Sequence, residues 1–320
     1  MNRCLAAACC ALALNLAAEA DVRLVFVGDL MLDDGPGKVI ARGEDPLAAF
    51  ADAITDSDFA IGNLECPVAA KGKFRDSKVF SFRADPGVTR ILAGRFQALS
   101  LANNHAVDAG RAALRETQQH LDAVGIRHFG AGQNLEEAHR PLIIERNGLR
   151  IAVLGYSEFK PRGFEAGPDW SGIAWSEDEQ VVRDMRLARE AGADLVIPFL
   201  HWGWEREPAP SARQRSFARK LIDNGADMVV GGHPHITQGA EYYRGKPIVY
   251  SLGNFVFDSF TTDATRTGWL LRVTLDKQGV VQWDTLGAFM SPEGVPQRMP
   301  GTASPCGTRS RGEVQRCDNR

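Results

Sequence analysis

From Asp21 to about residue 250, short apolar runs alternate with helical stretches, and most runs stop abruptly at a Gly, Asn or His. The runs at 22–27, 59–61, 98–102, 151–154, 195–200 and 228–230 lack polar alternation, as strands covered on both faces do. Helices are predicted between them over 45–54, 85–92, 108–124, 177–191 and 211–224, with Pro46 suited to a first turn. Such alternation needs crossover connections. It therefore predicts an α/β layered domain whose first part is mainly parallel. Val79 to Phe82 reads as an edge strand or hairpin arm. After Pro247 the pattern turns β-rich over 248–252, 269–275 and 280–286, the last two joined as a hairpin around Lys277-Gln278-Gly279.

No linker composition interrupts residues 21–290, which are expected to form one domain. Residues 291–320 carry Pro, Gly, Ser and Arg without periodicity and read as a poorly ordered tail. Residues 1–20 read as a signal peptide: Arg3, an apolar stretch from Cys4 to Ala18, and Ala18-Glu19-Ala20 as a small-x-small cleavage site. The expected location is the bacterial periplasm or cell envelope. A lipid anchor through Cys9 is the weaker reading, since Ala6-Ala7-Ala8 lacks a bulky residue before the cysteine. In an oxidising compartment Cys306 and Cys317 are expected to pair, leaving Cys66 as a small buried thiol. The net charge of −3 argues against a nucleic-acid partner.

In α/β sheets, ligands bind outside the carboxyl ends of strands. Here one strand end after another carries a metal-binding side chain. Gly28-Asp29 follows the first run and Gly62-Asn63-Leu64-Glu65 the second. Asn103-Asn104-His105, with Asp108 beyond, follows the third. His201-Trp202-Gly203-Trp204-Glu205, Gly231-Gly232-His233-Pro234-His235 and Ser251-Leu252-Gly253-Asn254 follow later runs. A mixed Asp, Glu, Asn and His set suits Zn, Mn or Fe. Taken singly, Asp29 or Asn104 would be turn residues and Glu65 a solvated carboxylate. The repetition in one topological place is what points to metal. His120, His128 and His139 have no such setting and read as surface or structural. Trp202 and Trp204 read equally well as sheet packing or as cleft walls.

The series GD-x-M, GNLE, ANNH-x-x-D, HWG-x-E, GGHPH-x-x-Q and SLGNF, from Gly28 to Asp258, resembles the CapA-type poly-γ-glutamate capsule proteins. These are a branch of the calcineurin-like metallophosphoesterase superfamily. The resemblance implies a four-layer α/β/β/α sandwich with one or two divalent ions at a sheet edge. It implies that Asp29 and His235 hold one ion, that Asn104, His201 and His233 hold the other, and that Glu65 stands near the bridging position. His105 would be the general acid, oriented by Asp108. Asn63, Glu205, Gln238 and Asn254 would contact substrate. Two positions depart from the broader superfamily: Met31 stands where the first motif usually has a His two residues after its Asp, and Asn63 where the second motif usually has a bridging Asp.

The function expected from this resemblance is metal-dependent hydrolysis of a phosphoester or a γ-glutamyl amide. The partners would be an anionic polymer or phosphoester substrate and capsule-synthesis membrane proteins. The rival reading is a non-catalytic accessory that grips or exports an anionic capsule polymer. Lys71, Lys73, Arg75, Lys78 and Arg83 offer it a basic loop.

Overall fold

The computed structural model describes residues 21–74, 78–159 and 162–318. The expected signal peptide, with Cys9, and Arg75 lie outside them. Two sheets stack face to face. The larger runs in the order Val314–Asp318, Ala303–Thr308, Gly279–Met290, Thr267–Asp276, Val22–Leu30, Phe59–Leu64, Ala98–Ser100, Arg127–Phe129. The smaller runs Ala240–Tyr243, Lys246–Val249, Val229–Gly232, Leu195–His201, Leu149–Ser157, Leu142–Arg146. Parallel pairing links Val22–Leu30 through Arg127–Phe129 in the first sheet and Lys246–Val249 through Leu149–Ser157 in the second. From Thr267 on the strands pair antiparallel, with Asp276 facing Gly279 across the expected hairpin.

Three apolar cores separate four layers. Leu24, Phe26, Ile61 and Leu271 meet Ile151, Val153, Ile197 and Phe199 between the sheets. Val25, Val27 and Leu99 pack outward on helical residues such as Ile40, Ile54, Leu114 and Leu121. Leu154, Val196 and Val229 do the same against Val181, Met185, Phe217 and Leu221. Each sheet thus buries both faces, which is why its central strands read as unbroken apolar runs. The architecture is the expected α/β/β/α sandwich.

The segment expected to be a loose tail is instead part of the larger sheet. Ala303–Thr308 pairs with Gly279–Met290 and with Val314–Asp318, and Pro296–Arg298 pairs with Gly279–Met290. The expected disulfide joins Cys306 to Cys317 across this hairpin, with a Cα–Cα distance of 5.9 Å. The sequence hides these strands because Pro305 and Gly307 break the pattern and the bridge supplies what apolar burial does not. Breaking it with Cys306→Ser is expected to lower stability by about 2–3 kcal/mol, as for loops of this size. An unchanged urea midpoint would show that the hairpin stands without it. Val79–Phe82 forms no strand; Val79 and Phe80 stand 88% and 63% exposed on a loop.

Candidate metal centre

A register irregularity puts the first carboxylate in place. Leu24 and Phe26 face the second sheet, while Val25 and Val27 face the helices. Pairing with Phe59–Leu64 is regular to Phe26 and shifts before Asp29, after which Leu30 falls on the helix side. The alternation therefore slips by one residue, and Asp29 turns toward the second sheet. Gly28 permits this, because a Cβ there would collide with the carbonyl oxygen of Gly253. On the neighbouring strand the alternation continues, so Glu65 shares a face with Ile61 and Asn63.

The second sheet supplies the imidazoles. His201 ends its strand, and Gly231-Gly232 leads into the His-Pro-His turn. A Cβ on Gly231 would overlap the Tyr250 carbonyl, so the turn needs glycine there. His233 and His235 both have positive φ, 93° and 58°. For residues other than glycine such backbone costs on the order of 1–3 kcal/mol each, and it concentrates at functional sites.

These side chains converge. Ligand atoms of Asp29, Glu65 and His201 lie within 4.8 Å of one another, as do those of Glu65, His233 and His235. Glu65 belongs to both triads. Its Oε1 is 3.4 Å from His201 Nε2 and 3.7 Å from His235 Nε2. His235 Nδ1 lies 3.4 Å from Asp29 Oδ2, and His233 Nδ1 lies 3.1 Å from His201 Nε2. Asn104 is brought alongside, its Oδ1 2.7 Å from His201 Nε2.

The surrounding amides hold the ligands in orientation. Asn254 Nδ2 donates to Thr265 O at 2.8 Å, so its Oδ1 accepts from His235 Nδ1–H, also at 2.8 Å. That tautomer, assigned from the network, leaves a lone pair on His235 Nε2 facing Glu65. Asn103 Nδ2 donates to Asn63 Oδ1 at 3.0 Å, so Asn63 Nδ2 donates to Asp29 Oδ1 at 2.8 Å. Asn63 and Asn254 were expected to contact substrate. Both are buried and committed to ligands, so they position the centre instead.

Burial governs the charges. It pushes His105 and His201 down to about 4 and His235 down to about 3, and lowers His233 well below the usual value. The rings are thus neutral at pH 7, the form that ligates metal. Burial also raises Asp29 and Glu65, and the Glu65 charge raises Asp29 further. Both Glu65 oxygens are buried and make no hydrogen bond. A buried carboxylate without a partner is costly, by several kcal/mol when ionised. A divalent cation between the triads would remove that cost, so the residues present fit one. Met31 does not join them. It is fully buried in the helix-side core, where its Sδ accepts from Asp33 N–H at 3.2 Å. Glu65 places a carboxylate two residues past Asn63, on the same face.

His105 and Asp108 form a dyad beside the triads. Asp108 Oδ2 is 2.7 Å from His105 Nδ1 and accepts from Phe82 N–H at 2.9 Å. His105 Nε2 faces the centre, 4.0 Å from Glu65 Oε1. Lys78, read from the sequence only as part of a basic loop, turns inward and pairs with Asp108. No local pattern could reveal that contact, which spans a separation of 30 residues. Aromatic rings cover the centre: Phe159 on His233, Phe260 on His235 and Phe82 on His105, with centroids 5.1, 4.6 and 4.7 Å apart.

Other candidates fall elsewhere. Glu205 is exposed at the rim, close enough for its charge to act on Glu65 and His201. Gln238 does not line a cleft. It is fully buried, accepts from Gln214 at 2.8 Å and donates to Glu207 O at 2.9 Å, which pins the loop that follows His201. Trp202 is buried and stacked on Tyr250, whereas Trp204 is 66% exposed. His120, His128 and His139 pair with Glu116, Asp122 and Asp184, away from the centre. Cys66 is buried and unpaired, and burial raises its thiol pKa.

The sequence has known relatives. The chain is 34% identical over 269 residues to the PGA biosynthesis protein CapA of Bacillus subtilis (strain 168), covering 81% of this chain and 69% of that one. It is 30% identical over 272 residues to the capsule biosynthesis protein CapA of Bacillus anthracis, covering 82% and 66%. Both relatives are thus longer than the matched part. The solved calcineurin-like phosphoesterase YfkN from Bacillus subtilis is similar at 12% identity and a TM-score of 0.45, covering 93% of this chain and 94% of that one. The family model for the bacterial capsule synthesis protein PGA_cap matches residues 23–259, from the first strand to just past Asn254 and so across every candidate ligand. The chain belongs to that capsule synthesis family.

Proposed function

We propose that this protein is a metal-dependent hydrolase of the cell envelope that cleaves a phosphoester or γ-glutamyl amide bond during synthesis of a poly-γ-glutamate capsule. The observation that carries it is Glu65, a buried carboxylate with no hydrogen bond, shared by two ligand triads and faced by a histidine–aspartate dyad. Asp29, Glu65, His201, His233 and His235 would hold the ion or ions, with Asn104 adjacent. A divalent ion there supplies Lewis acidity toward a phosphoryl or carbonyl oxygen. The chain's own groups do the rest. His105 presents Nε2 toward the centre and gives a proton to the departing atom. Asp108, itself held by Phe82 N–H, fixes the ring. Asn63 and Asn254 hold the ligands, and the phenylalanine cover limits water.

Two features support action outside the cytoplasm: the leader-like composition of residues 1–20 and the Cys306–Cys317 disulfide. The test is hydrolysis by Mn- or Zn-loaded protein of bis(4-nitrophenyl) phosphate and of poly-γ-glutamate. Turnover of either is expected. Tight binding of poly-γ-glutamate without turnover of either would favour the accessory reading.

A further inference from the structure

Resting on the hydrolase reading, we infer that Arg206 is a specificity residue that grips an anionic group carried by the substrate beside the bond to be cleaved. The loop from Trp202 to Ser211 joins the strand that ends at His201 to the helix Ala212–Asp223. Within it Glu207 N–H donates to Trp204 O at 3.4 Å, closing a tight turn whose third residue is Arg206. Its φ is 63°, in the left-handed region that favours glycine or asparagine. An arginine held there is strained, and such strain concentrates at functional sites. The turn is tied by its backbone to the metal centre. Arg206 N–H donates to Pro234 O at 2.8 Å, and Pro234 stands between His233 and His235. Gln238 fixes the far side of the loop, donating to Glu207 O at 2.9 Å and to Ala209 O at 3.2 Å.

The Arg206 side chain is exposed, yet close enough for its charge to act on His235. Cations on nearby loops are engaged with local acids: Lys78 with Asp108, Arg162 with Glu165 and Glu177, Arg213 with Glu158 and Asp178. No acid among the described residues pairs with Arg206. A divalent ion between the triads would put a second positive charge within reach of the first. Two cations that share one opening raise the local concentration of anions. A planar guanidinium takes a carboxylate or a phosphoryl group through two parallel hydrogen bonds. The pendant carboxylates of a γ-glutamyl chain, or the free oxygens of a phosphate, meet that demand. A neutral chain does not.

The test compares native protein, Arg206→Asn and Arg206→Lys, each loaded with zinc. Asparagine tolerates the left-handed backbone, so Arg206→Asn is expected to melt at the native temperature. Calorimetric titration then reads binding without any turnover. The probes are penta-γ-glutamate, the same oligomer with its pendant carboxylates converted to amides, and inorganic phosphate. Native protein is expected to prefer the free pentamer to the amidated one by roughly 10–100-fold, as a charge-assisted hydrogen-bonded pair gives. Arg206→Asn is expected to bind the two alike. Arg206→Lys should fall between them, since the charge stays and the fork is lost. A loss of that size on phosphate alone would assign the grip to a phosphoryl group. Equal affinities of native protein and Arg206→Asn for all three probes would overturn the inference, as would native protein that binds neither anion. Kinetics separate it from the hydrolase reading. Turnover of poly-γ-glutamate or bis(4-nitrophenyl) phosphate with an unchanged KM in Arg206→Asn would remove Arg206 and leave the hydrolase. Arg206-dependent binding with no turnover of either would keep the grip and overturn the hydrolase.

Discussion

Glu65→Gln is expected to lose metal binding and, with it, the stability that metal confers. Glu65 is the one side chain common to both triads, so its loss weakens each. Removing a partner that merely orients a ligand lowers metal affinity by about 10–100-fold; losing the shared carboxylate should exceed 100-fold. In native protein, Mn or Zn at a thousandfold excess over its dissociation constant should add about 4 kcal/mol, roughly 10 °C in midpoint. The variant should show no such rise. Without metal it should be at least as stable as native protein, because a neutral amide replaces a carboxylate that has no hydrogen bond. Calorimetric scans with and without metal check both statements. A variant that still gains the full native increment would exclude Glu65 as a ligand.

His105→Ala separates chemistry from binding. His105 belongs to neither triad. The variant should therefore keep its metal content while its rate falls by roughly 10²–10⁴ on the substrate that native protein cleaves. Asp108→Asn should fall less, because the His105 ring remains and still packs on Phe82 at 4.7 Å. Loss of metal from His105→Ala would make His105 a ligand, and an unchanged rate would remove it from the chemistry.

Much of this was legible in the sequence because strand ends are legible. Leu195–His201 and Val229–Gly232 are apolar runs stopped by histidine or glycine, and the candidate ligands lie at those stops. What stayed hidden depends on three-dimensional exceptions to local rules. The slip between Phe26 and Asp29 reverses which residues face the second sheet, and a period-two pattern cannot announce it. Gln238 shares a motif with His235, yet its side chain serves the loop around Glu207. Asn63 and Asn254 sit among the candidate ligands, and only their three-dimensional hydrogen bonds, to Asp29 and His235, set them apart from the rest. Lys78 lies on a loop whose neighbours Val79 and Phe80 face solvent, and nothing nearby signals that it turns inward. The strands at 303–308 and 314–318 lack an apolar stripe, and only the cysteine pair hinted at order there.

Elemental analysis of the purified protein, before and after dialysis against Mn or Zn, bears most directly on the centre. One or two ions per chain, lost together with any turnover in Glu65→Gln, is the expected result. A native protein that carries none and takes up none would leave Asp29, Glu65 and the three histidines as a buried polar cluster and nothing more.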